Sequence, residues 1–206
     1  MILKRIVGFW NPSVILTYIG MSIAVTGMFL VVSSKINYSF ICLVLCGICD
    51  LFDGSVARKF KRSDEEKAFG IELDSLVDVL SFIALPVTIF LKIGFVTPVH
   101  LIIYILYAIA GIARLGYFNV VDADGEGPVK YYTGLPITYA ALVFSIMYLS
   151  VNILTGNAFV IVYTLSMAVV TVLEVLKIKI AKPKGLAYVF FGVLAIAVIA
   201  MYIITI

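Results

Sequence analysis

Cys49 to Phe82 reads CDLFDGSVARKFKRSDEEKAFGIELDSLVDVLSF. Apolar runs flank it on both sides, and four carboxylates, Asp50, Asp53, Asp74 and Asp78, sit where those runs meet the charged centre. An uncompensated ionisable side chain at the centre of a membrane helix costs about 2.5–3.5 kcal/mol, so such residues are functional-site candidates by default. Asp50 and Asp53 are three apart and Asp74 and Asp78 four apart, so each pair shares one face of its helix. Two antiparallel helices joined by a short loop turn those faces together. Four facing carboxylates need a cation.

Span length locates the cluster. Ile36 to Cys49 holds 14 uncharged residues, about 21 Å of helix against a hydrocarbon core of about 30 Å. The helix must therefore continue through Asp50 and Asp53 to Ala57 before it reaches water. Val79 to Leu91 is too short in the same way, which draws Asp74 and Asp78 below the surface. Both pairs sit a turn or two inside one membrane face. Lys59–Phe69 between them is expected to be a charged, solvated hairpin loop.

The whole chain fits this setting. Of its 206 residues 63% are hydrophobic and 13% charged, with a mean hydropathy of +1.16. A soluble domain carries about a quarter charged residues. The composition therefore implies an all-α polytopic membrane protein, one domain over residues 1–206, with six to seven transmembrane helices. Residues 1–11 are expected to form an interfacial helix, with Lys4 and Arg5 at the headgroups and Trp10 as a belt residue. The start resembles a signal peptide, but a full-length span without a cleavage site follows, so it is expected to be retained. Asn11-Pro12-Ser13 caps a first span over Val14–Ser33. Further spans are expected at Pro98–Tyr117, Gly134–Leu154, Ala158–Leu176 and Leu186–Ile206, the last an additional C-terminal one. The polar, glycine-rich Val120–Thr133 and the basic KIKIAKPKG linker separate them. His100, at a helix start far from the carboxylates, reads as interfacial. Cys42, Cys46 and Cys49 share one face of the second span and read as small packing residues.

Alternating spans put the N-terminus, the carboxylate loop, the 120–133 loop and the 177–185 linker on one side. Thirteen of the fifteen Lys and Arg lie there or at the adjoining helix ends, leaving Lys35 and Lys92 opposite, and the positive-inside rule makes that side cytoplasmic. Four carboxylates offer hard oxygen ligands for one or two divalent ions, Mg²⁺ or Mn²⁺, whose open positions suit substrate phosphates. Gly54, Ala57 and Gly70 remove bulk where a base or phosphate could lie against backbone, and the Arg58 fork can hold a phosphate oxygen. The alternatives are structural ion pairs, for which the spans hold too few basic residues, and an ion pathway. No charged residues continue across the membrane, and no second half repeats the pattern, as a pathway would need.

Asp50-x-x-Asp53-Gly54-x-x-Ala57-Arg58 followed by Gly70-x-x-x-Asp74-x-x-x-Asp78 resembles the signature of the CDP-alcohol phosphatidyltransferases. The Arg58-to-Gly70 loop is longer than the family's usual one, which lengthens the hairpin without turning either face away. Glu72-Leu73-Asp74-Ser75-Leu76, Arg114-Leu115 with Phe118-Asn119, Gly134-Leu135-Pro136-Ile137, and Asn11-Pro12 with Thr17 resemble the branch of bacterial and archaeal membrane enzymes that use serine. Ile83-Ala84-Leu85-Pro86 departs from that branch at no catalytic position. The resemblance covers roughly residues 10–185.

The resemblance implies a CDP-alcohol phosphotransferase fold with a catalytic helix pair over 36–92. It implies divalent-metal-dependent transfer of a phosphatidyl or archaetidyl group from CDP-diacylglycerol or CDP-archaeol to the hydroxyl of L-serine, releasing CMP. Asp50, Asp53, Asp74 and Asp78 would hold one or two Mg²⁺ or Mn²⁺ ions, with Asp78 also the general base. Asp50, Gly54, Ala57, Arg58, Gly70 and Thr17 would bind the CDP-lipid. Arg114, Asn119 and Glu72 are the candidates for serine; Arg114 reads equally as an interfacial anchor. Acceptors carrying a phosphate, inositol phosphate or glycerol phosphate, are the alternative within the family, and a cation transporter the alternative outside it. The expected setting is the cell membrane of a prokaryote with the site facing the cytoplasm. The lipid bilayer and a homodimer are the further partners that fit, and nucleic acid is not expected.

Overall fold

The computed structural model describes residues 7–122, 131–154, 156–183 and 185–205. Helix α1 (Ile15–Val32) follows a single tight turn at Pro12–Val14, whose Asn11 cap accepts from the Ser13 amide at 3.0 Å. α2 spans Ile36–Ala57 and α3 Asp64–Asp78. α3 runs through a wide π-helical turn, Val79–Ala84, into α4 (Leu85–Lys92). α5 (Pro98–Tyr117), α6 (Tyr139–Leu149), α7 (Asn157–Val175) and α8 (Leu186–Ile204) complete the helices. Among the described residues, six helical stretches are long and apolar enough to cross a membrane. Their outward faces carry isoleucine, valine, leucine and phenylalanine, as at Ile19, Phe29, Ile105, Ile109 and Val193, which suits lipid contact.

α1 is the hub of the N-terminal half, packed along α2 and against α3 and α4. Its glycines make this approach close. A Cβ on Gly20 would lie 3.3 Å from the Cβ of Cys49, and one on Gly27 would lie 3.0 Å from the Cβ of Cys42. Small residues at matched positions let two membrane helices approach closely. Cys42, Cys46 and Cys49 are free thiols on that seam, as packing residues should be.

Four expectations need correction. The charged segment is not a loop as far as Phe69, because α3 begins at Asp64. Ser63 accepts from the Glu66 amide while Glu66 reaches back to the Ser63 amide, and Asp64, Glu65 and Glu66 favour the positive end of the helix. The interfacial helix is not present over Val7–Trp10, which is irregular; Lys4 and Arg5 lie outside the described residues, as does most of the 120–133 loop. His100 is buried rather than interfacial, bonded to Thr97 at 2.7 Å and to Thr164 of α7 at 3.0 Å. Finally, the helix expected from Gly134 to Leu154 is shorter. α6 starts at Tyr139, after a bent run in which Gly134 has φ +78° and Pro136 lacks an amide hydrogen.

That bent run depends on a feature absent from the sequence reading. Tyr131–Thr133 (β1) pairs antiparallel with Lys179–Ala181 (β2), Tyr132 opposite Ile180. Gly134 N–H donates to the Ile178 carbonyl and Leu135 N–H to the Leu173 carbonyl, each at 2.9 Å. Irregular backbone near a membrane face is tolerated where it is buried in protein and its polar groups are paired. The π-helical turn obeys the same rule. Pro86 has no N–H for the Phe82 carbonyl, which instead accepts the Tyr107 hydroxyl of α5.

Filling the α1–α2 seam should loosen the whole N-terminal half. Gly27→Val is expected to destabilise the protein by about 1–3 kcal/mol, seen as a lower melting temperature in detergent. Gly116→Ala, where a Cβ meets nothing within 4 Å, should leave it unchanged or slightly higher.

Candidate active site

α2 presents Asp50 and Asp53, and α3 presents Asp74 and Asp78 across from them. Ligand oxygens of Asp50, Asp74 and Asp78 lie within 4.8 Å of one another. Asp50 meets Asp78, and Asp53 meets Asp74. Thr17 of α1 donates to Asp53 Oδ2 at 3.4 Å. Asp53 and Asp78 are buried, while Asp50 and Asp74 are partly open. Among the described residues the ion pair within 4.0 Å is Lys67–Asp64, at the exposed start of α3, so no salt bridge neutralises the four aspartates. Oxygens bound at about 2.0–2.6 Å to one hard cation stand at most about 4–5 Å apart, the spacing found here. An all-carboxylate donor set suits Mg²⁺ or Mn²⁺.

Three hollows meet at this cluster. The first, about 310 Å³, lies between α2, α3, α5 and the β-ribbon; it is lined by Asp50, Asp53, Asp74, Asp78, Arg58, Arg114 and Asn119. The second, about 200 Å³, lies between α1, α2 and α3, and gathers Thr17, Gly54, Ala57, Arg58 and Gly70 beside Asp53 and Asp74. The third is an apolar groove of about 280 Å³ between α2, α6 and α8, which reaches Asp50 from the lipid-facing side. α8 thus lines a hollow that ends at the aspartates.

Most residues singled out in the sequence converge here. Arg114 is buried, not an interfacial anchor; its guanidinium carbon lies 5.3 Å from the Phe118 ring centre and 5.8 Å from that of Tyr132. Asn119 Nδ2 donates to Ser75 Oγ at 2.7 Å. Glu72 is the exception, on the exposed face of α3 and outside all three hollows. Sequence reading missed Arg62 in the second hollow and Tyr132, Lys182 and Tyr188 in the first. Lys182 Nζ lies 5.5 Å from the Tyr132 ring centre. Burial pushes the Tyr132 phenol up to about 12, which keeps it a neutral hydrogen-bond donor at physiological pH. It also missed Glu174 of α7, although the rule that flagged the aspartates, a carboxylate in an apolar helix, applies there too.

Comparison with known proteins agrees with this geometry. Residues 10–176 match the family described as CDP-alcohol phosphatidyltransferase. A CDP-diacylglycerol–serine O-phosphatidyltransferase of Saccharomyces cerevisiae is 41% identical over 112 residues, covering 51% of this chain and 40% of the yeast protein. An archaetidylserine synthase of Methanothermobacter thermautotrophicus is 33% identical over 148 residues, covering 71% of this chain and 61% of that protein. A CDP-diacylglycerol–serine O-phosphatidyltransferase of Methanocaldococcus jannaschii is 34% identical over 125 residues, covering 61% and 55%. The chain thus spans less than two thirds of the length of each of these relatives.

Crowded carboxylates without a counter-ion oppose folding. In a chelator, Asp78→Asn should therefore raise the melting temperature above that of the unsubstituted protein. Added Mn²⁺ should stabilise the unsubstituted protein more than the variant and reverse their order. Equal melting temperatures under both conditions would mean that the cluster carries no such repulsion.

Proposed function

This chain belongs to the CDP-alcohol phosphatidyltransferase family, and on that premise we propose that it transfers a phosphatidyl or archaetidyl group from a CDP-lipid to the hydroxyl of L-serine. The observation that carries the reading is the meeting of the polar hollows and an apolar groove at the four aspartates. That combination fits a substrate with a charged pyrophosphate head and hydrocarbon tails. The names of the serine-using and archaetidylserine-forming relatives support the acceptor.

Asp50, Asp53, Asp74 and Asp78 would hold one or two divalent ions. Bound there, such ions would neutralise the pyrophosphate and make CMP a better leaving group. The chain's own residues do the rest. The second hollow takes the cytidine side of the CDP-lipid: Gly54, Ala57 and Gly70 leave room, Thr17 steadies Asp53, and Arg58 binds a phosphate oxygen. The tails lie in the apolar groove or the surrounding lipid. In the first hollow Arg114 receives the carboxylate of serine, with the Phe118 and Tyr132 rings and Asn119 beside it. Asp78 accepts the proton of the serine hydroxyl as its oxygen attacks the lipid-side phosphorus. The bond from that phosphorus to the CMP oxygen breaks, and CMP leaves with the electron pair. The excess of basic residues at this end of the bundle supports a cytoplasmic-facing site.

One observation favours a second reading. Lys182 joins Arg114 and Arg58 in the first hollow, so an acceptor that carries a phosphate would also find cations there.

The test is CMP release by the detergent-solubilised protein given CDP-diacylglycerol and Mn²⁺ or Mg²⁺. Release should depend on L-serine, and Asp78→Asn should slow it by about 10²–10⁴-fold, the usual contribution of a positioned base. Release with inositol phosphate or glycerol phosphate in place of serine would move the assignment to the second reading. No release with any of these acceptors would sink the transferase reading.

A further inference from the structure

Arg114 borders two hollows. One is the aspartate hollow; behind it lies another of about 200 Å³, walled by Tyr117, Thr133, Glu174 and Lys177. Glu174 is 2% exposed, and neither of its carboxylate oxygens has a hydrogen-bond partner. Arg114 Nε is likewise buried without one. The two opposite charges lie within electrostatic reach of each other. A buried carboxylate without a partner is strongly unfavourable, and its natural complement is the buried cation on the same wall. Lys177 is a poorer complement, being exposed, with its ammonium directed to the Tyr117 ring at 5.9 Å.

The backbone holds Glu174 in place. Gly134 and Leu135 bond across the end of α7, and a Cβ on Gly134 would stand 2.3 Å from the Glu174 carbonyl oxygen. On the other side, Arg114 lies within electrostatic reach of Asp78 and Asp50. Left to those aspartates alone, the guanidinium would be drawn onto them, and a ligand set meant for a cation would be partly neutralised. A carboxylate on the opposite edge opposes that pull. Phe118 and Tyr132 both stand on one side of the guanidinium; a guanidinium bonds through edges in its own plane, so one edge can face Glu174 while another stays available.

We propose that Glu174 is a positioning residue that holds the Arg114 guanidinium off the aspartate cluster and ready for the carboxylate of the acceptor amino acid. This rests on the reading of Arg114 as the acceptor's anchor.

The experiment compares Glu174→Gln, Glu174→Asp, Arg114→Lys and the double variant Glu174→Gln/Arg114→Lys, with KM measured separately for L-serine and for CDP-diacylglycerol. Glu174→Gln removes the charge that faces the guanidinium and should raise the serine KM about tenfold, with the CDP-diacylglycerol KM changed less than about twofold. Glu174→Asp, which keeps the charge, should recover part of the loss. The double variant should be no worse than Arg114→Lys alone, because Glu174 acts through Arg114. Should Glu174→Gln not fold, Glu174→Asp carries the test, expected to raise the serine KM alone. An unchanged serine KM in the Glu174 variants, equal rises for both substrates, or additive losses in the double variant would overturn the inference while leaving Arg114 as anchor. An unchanged serine KM in Arg114→Lys, or no serine-dependent release by the unsubstituted protein, would overturn the anchor reading and this inference together.

Discussion

Four carboxylates crowded on two facing helices, with no salt bridge to them among the described residues, set the terms for the rest of this molecule. Ionised groups in such a place repel one another and lose hydration, so the fold must supply the stability to hold them until a cation is bound. The scaffold around them reflects that demand. α1 packs on α2 through glycine-to-cysteine contacts and offers Thr17 to Asp53. α3 begins with a complete capping box, which anchors the helix that carries Asp74 and Asp78. Asn11 ties the entry to α1 to the same capping glutamate, at 2.9 Å from Glu66 Oε1. The helices that carry the repulsion are thus fastened at their ends and along a tight seam.

Departures from regular helix are concentrated around the same cluster. The π-helical turn follows Asp78 directly, and its freed carbonyl is satisfied by Tyr107. A second π-helical turn, Phe118–Asp122, follows α5 and contains Asn119. The bent run from Gly134 to Thr138 lowers Pro136 and Thr138 into the wall of the first hollow. The first turn and the bent run have backbone groups paired elsewhere, which is the condition for irregular chain in a membrane protein. Together they leave open volume beside the aspartates where regular helices would close it.

Charge is distributed with similar consequence. Arg58 approaches the cluster from the end of α2 and Arg114 from α5, yet among the described residues neither forms an ion pair with the four aspartates. The negative field is left for a cation, and these two guanidinium groups are left for the anionic groups of a ligand. Asp50 stands at the junction, lining both the polar hollow and the apolar groove. An amphiphile lying across that junction would meet matched surroundings at both ends.

How much of this is legible in the chain divides by range. Helical periodicity, hydrophobic run length and the three- and four-residue spacings of the aspartates are local, and α2 and α5 have the bounds that those features give. The start of α3 was equally local in Ser63 and Glu66, but the charge of the segment obscured it. Thr17, Gly54, Ala57, Arg58 and Gly70 were recognisable as a group, and they do share one hollow. The ribbon was not legible: its strands are three residues long, and Tyr131 pairs with Ala181 across most of two helices. Nor was the approach of Glu174 to Arg114, which depends on Gly134 closing over the end of α7. By itself the sequence determined which carboxylates cluster and which helices carry them, since turn-by-turn spacing and hydrophobic length act within one segment. Only the tertiary structure decided what surrounds them, because those partners meet through hydrogen bonds and packing between distant segments that leave no local signature.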